Sequence, residues 1–117
     1  MNGMHEISII ENIMKVITEN AEANQLRSIS RISLKIGKMR QVVPEMLNFA
    51  FETVAQDTVA EKAALDVEYI QILMKCKDCG KEFSVENKTY LCPHCDSRAL
   101  DLLTGQEMYL DSIEGEQ

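Results

Sequence analysis

The stretch Leu65-Asp66-Val67-Glu68-Tyr69-Ile70-Gln71-Ile72-Leu73-Met74-Lys75-Cys76 changes hydrophobic phase midway. Leu65, Val67 and Tyr69 alternate with Asp66 and Glu68, which is the period of a half-buried strand. From Ile70 onward the other parity takes over, through Ile72 and Met74. A slip by one residue turns the side chains to the opposite face, so it marks a bulge or a strand that leaves one sheet for another environment. The slip comes just before the first of four cysteines. It divides the chain into residues 1–73 with 104–117, and a separate segment, 74–103.

Downstream, the cysteines read Cys76-Lys-Asp-Cys79 and Cys92-Pro-His-Cys95. A two-residue gap lets a tight turn aim two thiolates at one ion, and two such knuckles supply the four sulfurs of a closed tetrahedral zinc site. Four thiolates leave no position for water, so the zinc is expected to be structural. A segment this short cannot bury a self-sufficient core, so the metal should fold it. A hairpin is expected between the knuckles, with Glu82 to Val85 going out, Asn87-Lys88 turning and Thr89 to Leu91 returning. Gly80 is expected to take a left-handed backbone. Two redox dithiols are the competing reading, opposed by the missing βαβ context. His94, between two ligands, reads as a solvated knuckle residue. The last run, Met108 to Ile113, is strand-like and should return to the first sheet, making the cysteine segment an insertion. Glu114 to Gln117 reads as a frayed tail.

Upstream, Ile7, Ile10, Met14, Ile17 and Ala21 recur at helical spacing, widened by Ile9, Ile13 and Val16. This predicts a helix from about His5 to Asn24. Ile32, Leu34 and Ile36 alternate with charged and polar residues, a strand ending at Gly37. Pro44 opens a second helix carrying Leu47, Ala50, Phe51, Val54 and Ala55 on one face and ending near Asp57. The order predicts an α+β fold. Two helices lie on one face of a small, mainly antiparallel three-stranded sheet, with an inserted zinc-ribbon-like domain.

Composition narrows the function. The formal charge is −7, and the segment around the cysteines nearly balances Lys75, Lys77, Lys81, Lys88 and Arg98 with Asp78, Glu82, Glu86 and Asp96. A nucleic-acid binder needs a basic face. A zinc-ribbon module binding nucleic acid or protein is therefore the alternative, not the leading reading. No stretch reaches the ~20 apolar residues of a membrane span. No targeting segment opens the chain, so a cytoplasmic setting with reduced thiols is expected. With two histidines at opposite ends and no Gly-rich phosphate loop, no catalytic constellation can be assembled.

One of those histidines, His5, stands in Met4-His5-Glu6 at the start of the first helix. Imidazole and backbone nitrogens suit a planar, nitrogen-rich Ni(II) or Cu(II) site. Met4-His5-Glu6-Ile7-Ser8-Ile9, Pro44-Glu45 with Phe49-Ala50-Phe51-Glu52, and the two knuckles with Gly80, taken in this order, resemble the HypA/HybF family. These are nickel metallochaperones of [NiFe]-hydrogenase maturation. The resemblance implies a nickel-binding α+β domain (1–73 with 104–117) and a zinc domain (74–103). It implies reversible Ni(II) binding with His5 as ligand, Glu6 in the site and Met4 contributing backbone. Cys76, Cys79, Cys92 and Cys95 hold zinc. The implied partners are a HypB-type GTPase and the hydrogenase large subunit. Some members also serve urease, and monomer or homodimer stays open.

Two departures stand out. Family chains begin at the Met of this motif, whereas Met1-Asn2-Gly3 precede it here. Either Met4 is the true start, or its amide replaces the terminal amine. Many relatives also carry a carboxylate before the helix-two proline, where this chain has Val43. Glu45 is the nearest acid and is not counted as a ligand.

Overall fold

A computed structural model describes residues 4–117. The chain runs α1 (Met4–Ala23), β1 (Ser28–Gly37), a 3-10 turn (Lys38–Arg40), α2 (Pro44–Val54), β2 (Ala64–Ile70), β3 (Leu73–Cys76), β4 (Glu82–Ser84), β5 (Leu100–Thr104) and β6 (Met108–Glu116). Two three-stranded sheets form, ordered β2-β1-β6 and β4-β3-β5. The phase slip is where one sheet ends and the other begins. β2 stops at Ile70 and β3 starts at Leu73, so the chain leaves the first sheet and enters the second.

In the first sheet β6 returns antiparallel to β1. The Arg27 N–H donates to the Glu116 carbonyl at one end, and the Gly37 N–H to the Glu107 carbonyl at the other. The cysteine segment is thus inserted between two strands that both pair with β1. β1 and β2 run the same way, since Arg31 pairs with Asp66 and Lys35 with Glu68, both advancing along the chain. A strand-helix-strand crossover through α2 makes such pairing parallel. In the second sheet both pairings are antiparallel, so antiparallel pairing predominates overall.

The chain divides into two compact units. One comprises residues 1–35, 42–68 and 109–117, the other 36–41 and 69–108. In the first unit α1 and α2 pack together. Their apolar stripes bury Ile10, Ile17, Leu47 and Phe51, and β1 buries Ile32 and Leu34 in alternation. Val16 departs from the predicted stripe and is exposed, because it lies off the Ile10–Ile17–Ala21 face. α2 ends at Val54, before the predicted Asp57, whose φ of 61° is outside the helical range.

The second unit has a small apolar core of Ile72, Met74 and Val85, with Met39, Phe83, Leu100 and Leu102 against it. The predicted hairpin is half right. Asn87 and Lys88 both have positive φ, at 53° and 58°, and the Thr89 N–H closes a turn on the Glu86 carbonyl. Thr89 to Leu91 form no strand, however. β4 is at the edge of its sheet, and Thr89 to Leu91 lead into the second knuckle without pairing to it. The predicted tail is a correction too. β6 extends to Glu116, held by Arg27 and by the Gln117 side chain donating to the Asn24 carbonyl. Gly37 is required for space, not for backbone freedom. Its φ is −70°, but an added Cβ would overlap the Gly105 carbonyl. Among the described residues no helix is long and apolar enough to cross a membrane.

Candidate metal centres

The two knuckles are built alike. The Gly80 N–H donates to the Cys76 carbonyl and the Asp96 N–H to the Cys92 carbonyl, each at 2.9 Å. The Cys76 N–H bonds the Lys81 carbonyl and the Cys92 N–H bonds the Ser97 carbonyl, again both at 2.9 Å. The residue after each second cysteine is left-handed, Gly80 at φ 77° as the sequence predicts and Asp96 at 61°. This conformation turns the backbone around the sulfurs. The Cys79 N–H reaches Cys76 Sγ and the His94 N–H reaches Cys92 Sγ, each at 3.4 Å.

The four sulfurs lie within 4.8 Å of one another. Cys76 Sγ is 3.5 Å from Cys95 Sγ, and Cys79 Sγ is 3.6 Å from Cys92 Sγ. A disulfide needs about 2.05 Å. A tetrahedron of sulfurs about 2.3 Å from a zinc ion has edges of roughly 3.8 Å, so the four thiols fit that ion and not two disulfides. Cys76 and Cys92 are buried, Cys79 and Cys95 exposed. The Cys79 backbone N–H leads the groups that lower the Cys76 thiol to about 6, against the opposing effect of burial. At Cys95 the Ser97 backbone favours the thiolate. The adjacent Cys76 sulfur and burial outweigh it and push the thiol up to about 12. Crowded sulfurs that cannot all ionise together are what a cation resolves. Among the described residues this is the single group of three or more His, Cys, Asp or Glu side chains close enough to share an ion. The side chain of His94 is exposed and outside it.

The second candidate is at the opening of α1. Met4, His5 and Glu6 fall in its first turn. Backbone nitrogens and an imidazole thus occur together in one helix turn. His5 is half-buried and Glu6 fully buried, at 0% exposure. Glu6 Oε2 accepts the Val43 N–H at 3.1 Å. Val43 is the N-cap of α2 and offers no side-chain cap of its own. Glu6 thus supplies across the fold what the Val-Pro start lacks, and the positive ends of two helices account for a buried acid there. Its other oxygen, Oε1, and Nε2 of His5 are buried without a partner. The structure brings Glu6 to the Val43 backbone, with His5 one position before it in the same turn. Among the described residues no third side-chain ligand joins them, and Glu45 is exposed. The reading of Met1-Asn2-Gly3 lies outside the described residues.

Sequence reasoning missed the Glu6–Val43 link. Its signal was a helix opening at Val43-Pro44 with no Ser, Thr, Asp or Asn to cap it.

Residues 4–115 match the family described as "HypA: Hydrogenase/urease nickel incorporation, metallochaperone, hypA". The chain is 40% identical over 111 residues to the hydrogenase maturation factor HypA of Aquifex aeolicus, covering 95% of this chain and 96% of that one. It is 38% identical over 114 residues to that of Trichormus variabilis, covering 97% of each. Among solved structures it is similar to the solution structure of the Ni metallochaperone HypA from Helicobacter pylori. That match has a TM-score of 0.67 and 30% identity, and covers 97% of this chain and 98% of that one. A family match over nearly the whole chain, together with a shared fold and a four-cysteine metal site, means that this chain belongs to the HypA family.

Proposed function

We propose that this protein is a nickel carrier for [NiFe]-hydrogenase maturation and not an enzyme. Ni(II) binds reversibly at Met4-His5-Glu6, and a HypB-type GTPase assists its delivery to the hydrogenase large subunit in the cytoplasm. His5 is the side-chain ligand, the first-turn amides complete the nitrogen set and Glu6 borders the ion. Cys76, Cys79, Cys92 and Cys95 hold a structural zinc. Residues 1–73 with 104–117 form the nickel domain and 74–103 the zinc domain.

The observation that carries the nickel reading is the pair of buried polar atoms without partners, His5 Nε2 and Glu6 Oε1, in the first turn of α1. Unpaired buried polar atoms cost about 1–3 kcal/mol each and are rare unless a site needs them. A carrier has to release its ion, which suits a site with one imidazole and an acid already engaged by Val43. Zinc, held by four sulfurs with no open position, is not the cargo.

Calorimetric Ni(II) titration of the zinc-loaded protein tests this in three chains: the full sequence, one starting at Met4, and one starting at Met4 with His5→Ala. The Met4 chain is expected to bind one Ni(II) with a Kd of about 1 μM, near 8 kcal/mol. His5→Ala should lose that binding and keep one zinc. Equal nickel affinity in the His5→Ala chain would sink the reading.

A further inference from the structure

α2 carries two features that its own stability does not call for. Phe49 is 69% exposed, the most exposed large apolar side chain among the described residues. Glu52 stands in the last turn, where the helix dipole presents its negative end, and that turn has no basic residue. Glu45, four residues before Phe49, and Glu52, three after it, share its helix face. Both acids are exposed. Alongside runs a groove of about 560 Å³, lined in part by Asn48, Glu52, Gln56, Glu61 and a single cation, Lys62. The surface is therefore an aromatic knob set in an acidic rim. Aromatic anchors ringed by polar contacts are the usual energetic centres of protein interfaces. Side chains that break local rules without a packing return are most often explained by function.

We infer that the outer face of α2 is a docking surface, and that its occupant is a folded protein presenting an apolar socket for Phe49, rimmed by Lys or Arg that meet Glu45 and Glu52. The charge selects this occupant. A second copy would bring the same acids against themselves, and an anionic lipid surface or a nucleic acid would be repelled. The face suits transfer of the ion. Phe49 follows Pro44 by five residues, about 7–8 Å along the helix axis at ~1.5 Å per residue. The α2 N-terminus is itself bonded to Glu6. Phe49 is therefore on the same helix whose start is bonded to the nickel motif, roughly 10 Å along from it at ~1.5 Å per residue.

The inference rests on the partner reading above, so the probe is the purified HypB-type GTPase of the same organism. It is titrated against the full-length zinc-loaded chain at low and high salt. The parent is expected to bind, with affinity falling as salt rises. Phe49→Ala should weaken binding at least tenfold. The double variant Glu45→Lys, Glu52→Lys should weaken it further and remove or invert the salt dependence. All three positions are exposed, so circular dichroism, zinc content and Ni(II) affinity should match the parent. Binding of Phe49→Ala within twofold of the parent overturns the docking surface and leaves the partner reading standing. Failure of the parent itself to bind overturns both. A parent homodimer that Phe49→Ala dissociates assigns the knob to a second copy and overturns the stated occupant.

Discussion

At the scale of the residue, Glu6 serves two ends. One carboxyl oxygen caps α2 through the Val43 N–H, and the other is buried without a partner. Glu6→Ala removes a buried acceptor and leaves Val43 unpaired, so it should cost about 1–3 kcal/mol in urea unfolding. Glu6→Gln keeps a carbonyl oxygen for Val43 and should cost clearly less. An unchanged urea midpoint for Glu6→Ala would show that the cap contributes nothing. The place of Glu6 in the first turn of α1 was legible in the sequence, because helical spacing is local. Its burial was not, because the N–H it accepts is 37 positions away and belongs to a hydrophobic residue.

At the scale of the element, the turn at Asn87-Lys88 joins β4 to the second knuckle with two successive left-handed residues. Asparagine tolerates that conformation better than lysine does, while Asn-Gly is the pair such turns favour. Lys88→Gly should therefore stabilise the zinc-loaded protein by about 0.5–1 kcal/mol, seen as a higher urea midpoint at unchanged slope. A lower midpoint would contradict the left-handed assignment. Helices and strands were largely legible, since the periods of Ile10–Met14–Ile17 and Ile32–Leu34–Ile36 report burial directly. The strand predicted for Thr89 to Leu91 was not realised. The third strand of that sheet is instead β5, which lies beyond the second knuckle and pairs with β3.

At the scale of the whole molecule, the two units have unequal means of support. The first has a broad aliphatic core, whereas the second has a few apolar residues around Ile72, Met74 and Val85 and four thiols. Zinc uptake must displace protons from thiols that are protonated at neutral pH. Cys95, at about 12, and Cys79, raised against the Lys81 backbone N–H by burial and then by the Cys92 and Cys76 sulfurs, are two of these. Cys76, at about 6, is already a thiolate at pH 7. Zinc affinity should therefore rise with pH across neutrality with at least two protons released per ion, and fall more steeply below about pH 6 as Cys76 protonates. Competition with a zinc-sensitive dye between pH 5.5 and 8 measures this, and a pH-independent affinity would refute it. When a chelator removes the zinc, hydrogen exchange should lose protection in β3, β4 and β5 while α1, α2 and β1 keep theirs.

The sequence by itself determined the helix and strand periods, the two knuckles and the point where the chain changes sheets. These depend on neighbours within a few positions, and such spacing carries its physics with it. Only the tertiary structure decided that Glu6 caps a distant helix, that the middle strand of the second sheet has no edge to spare, and that Phe49 is left uncovered. Each of these turns on which groups from far along the chain occupy the same space, and local periodicity holds no record of that.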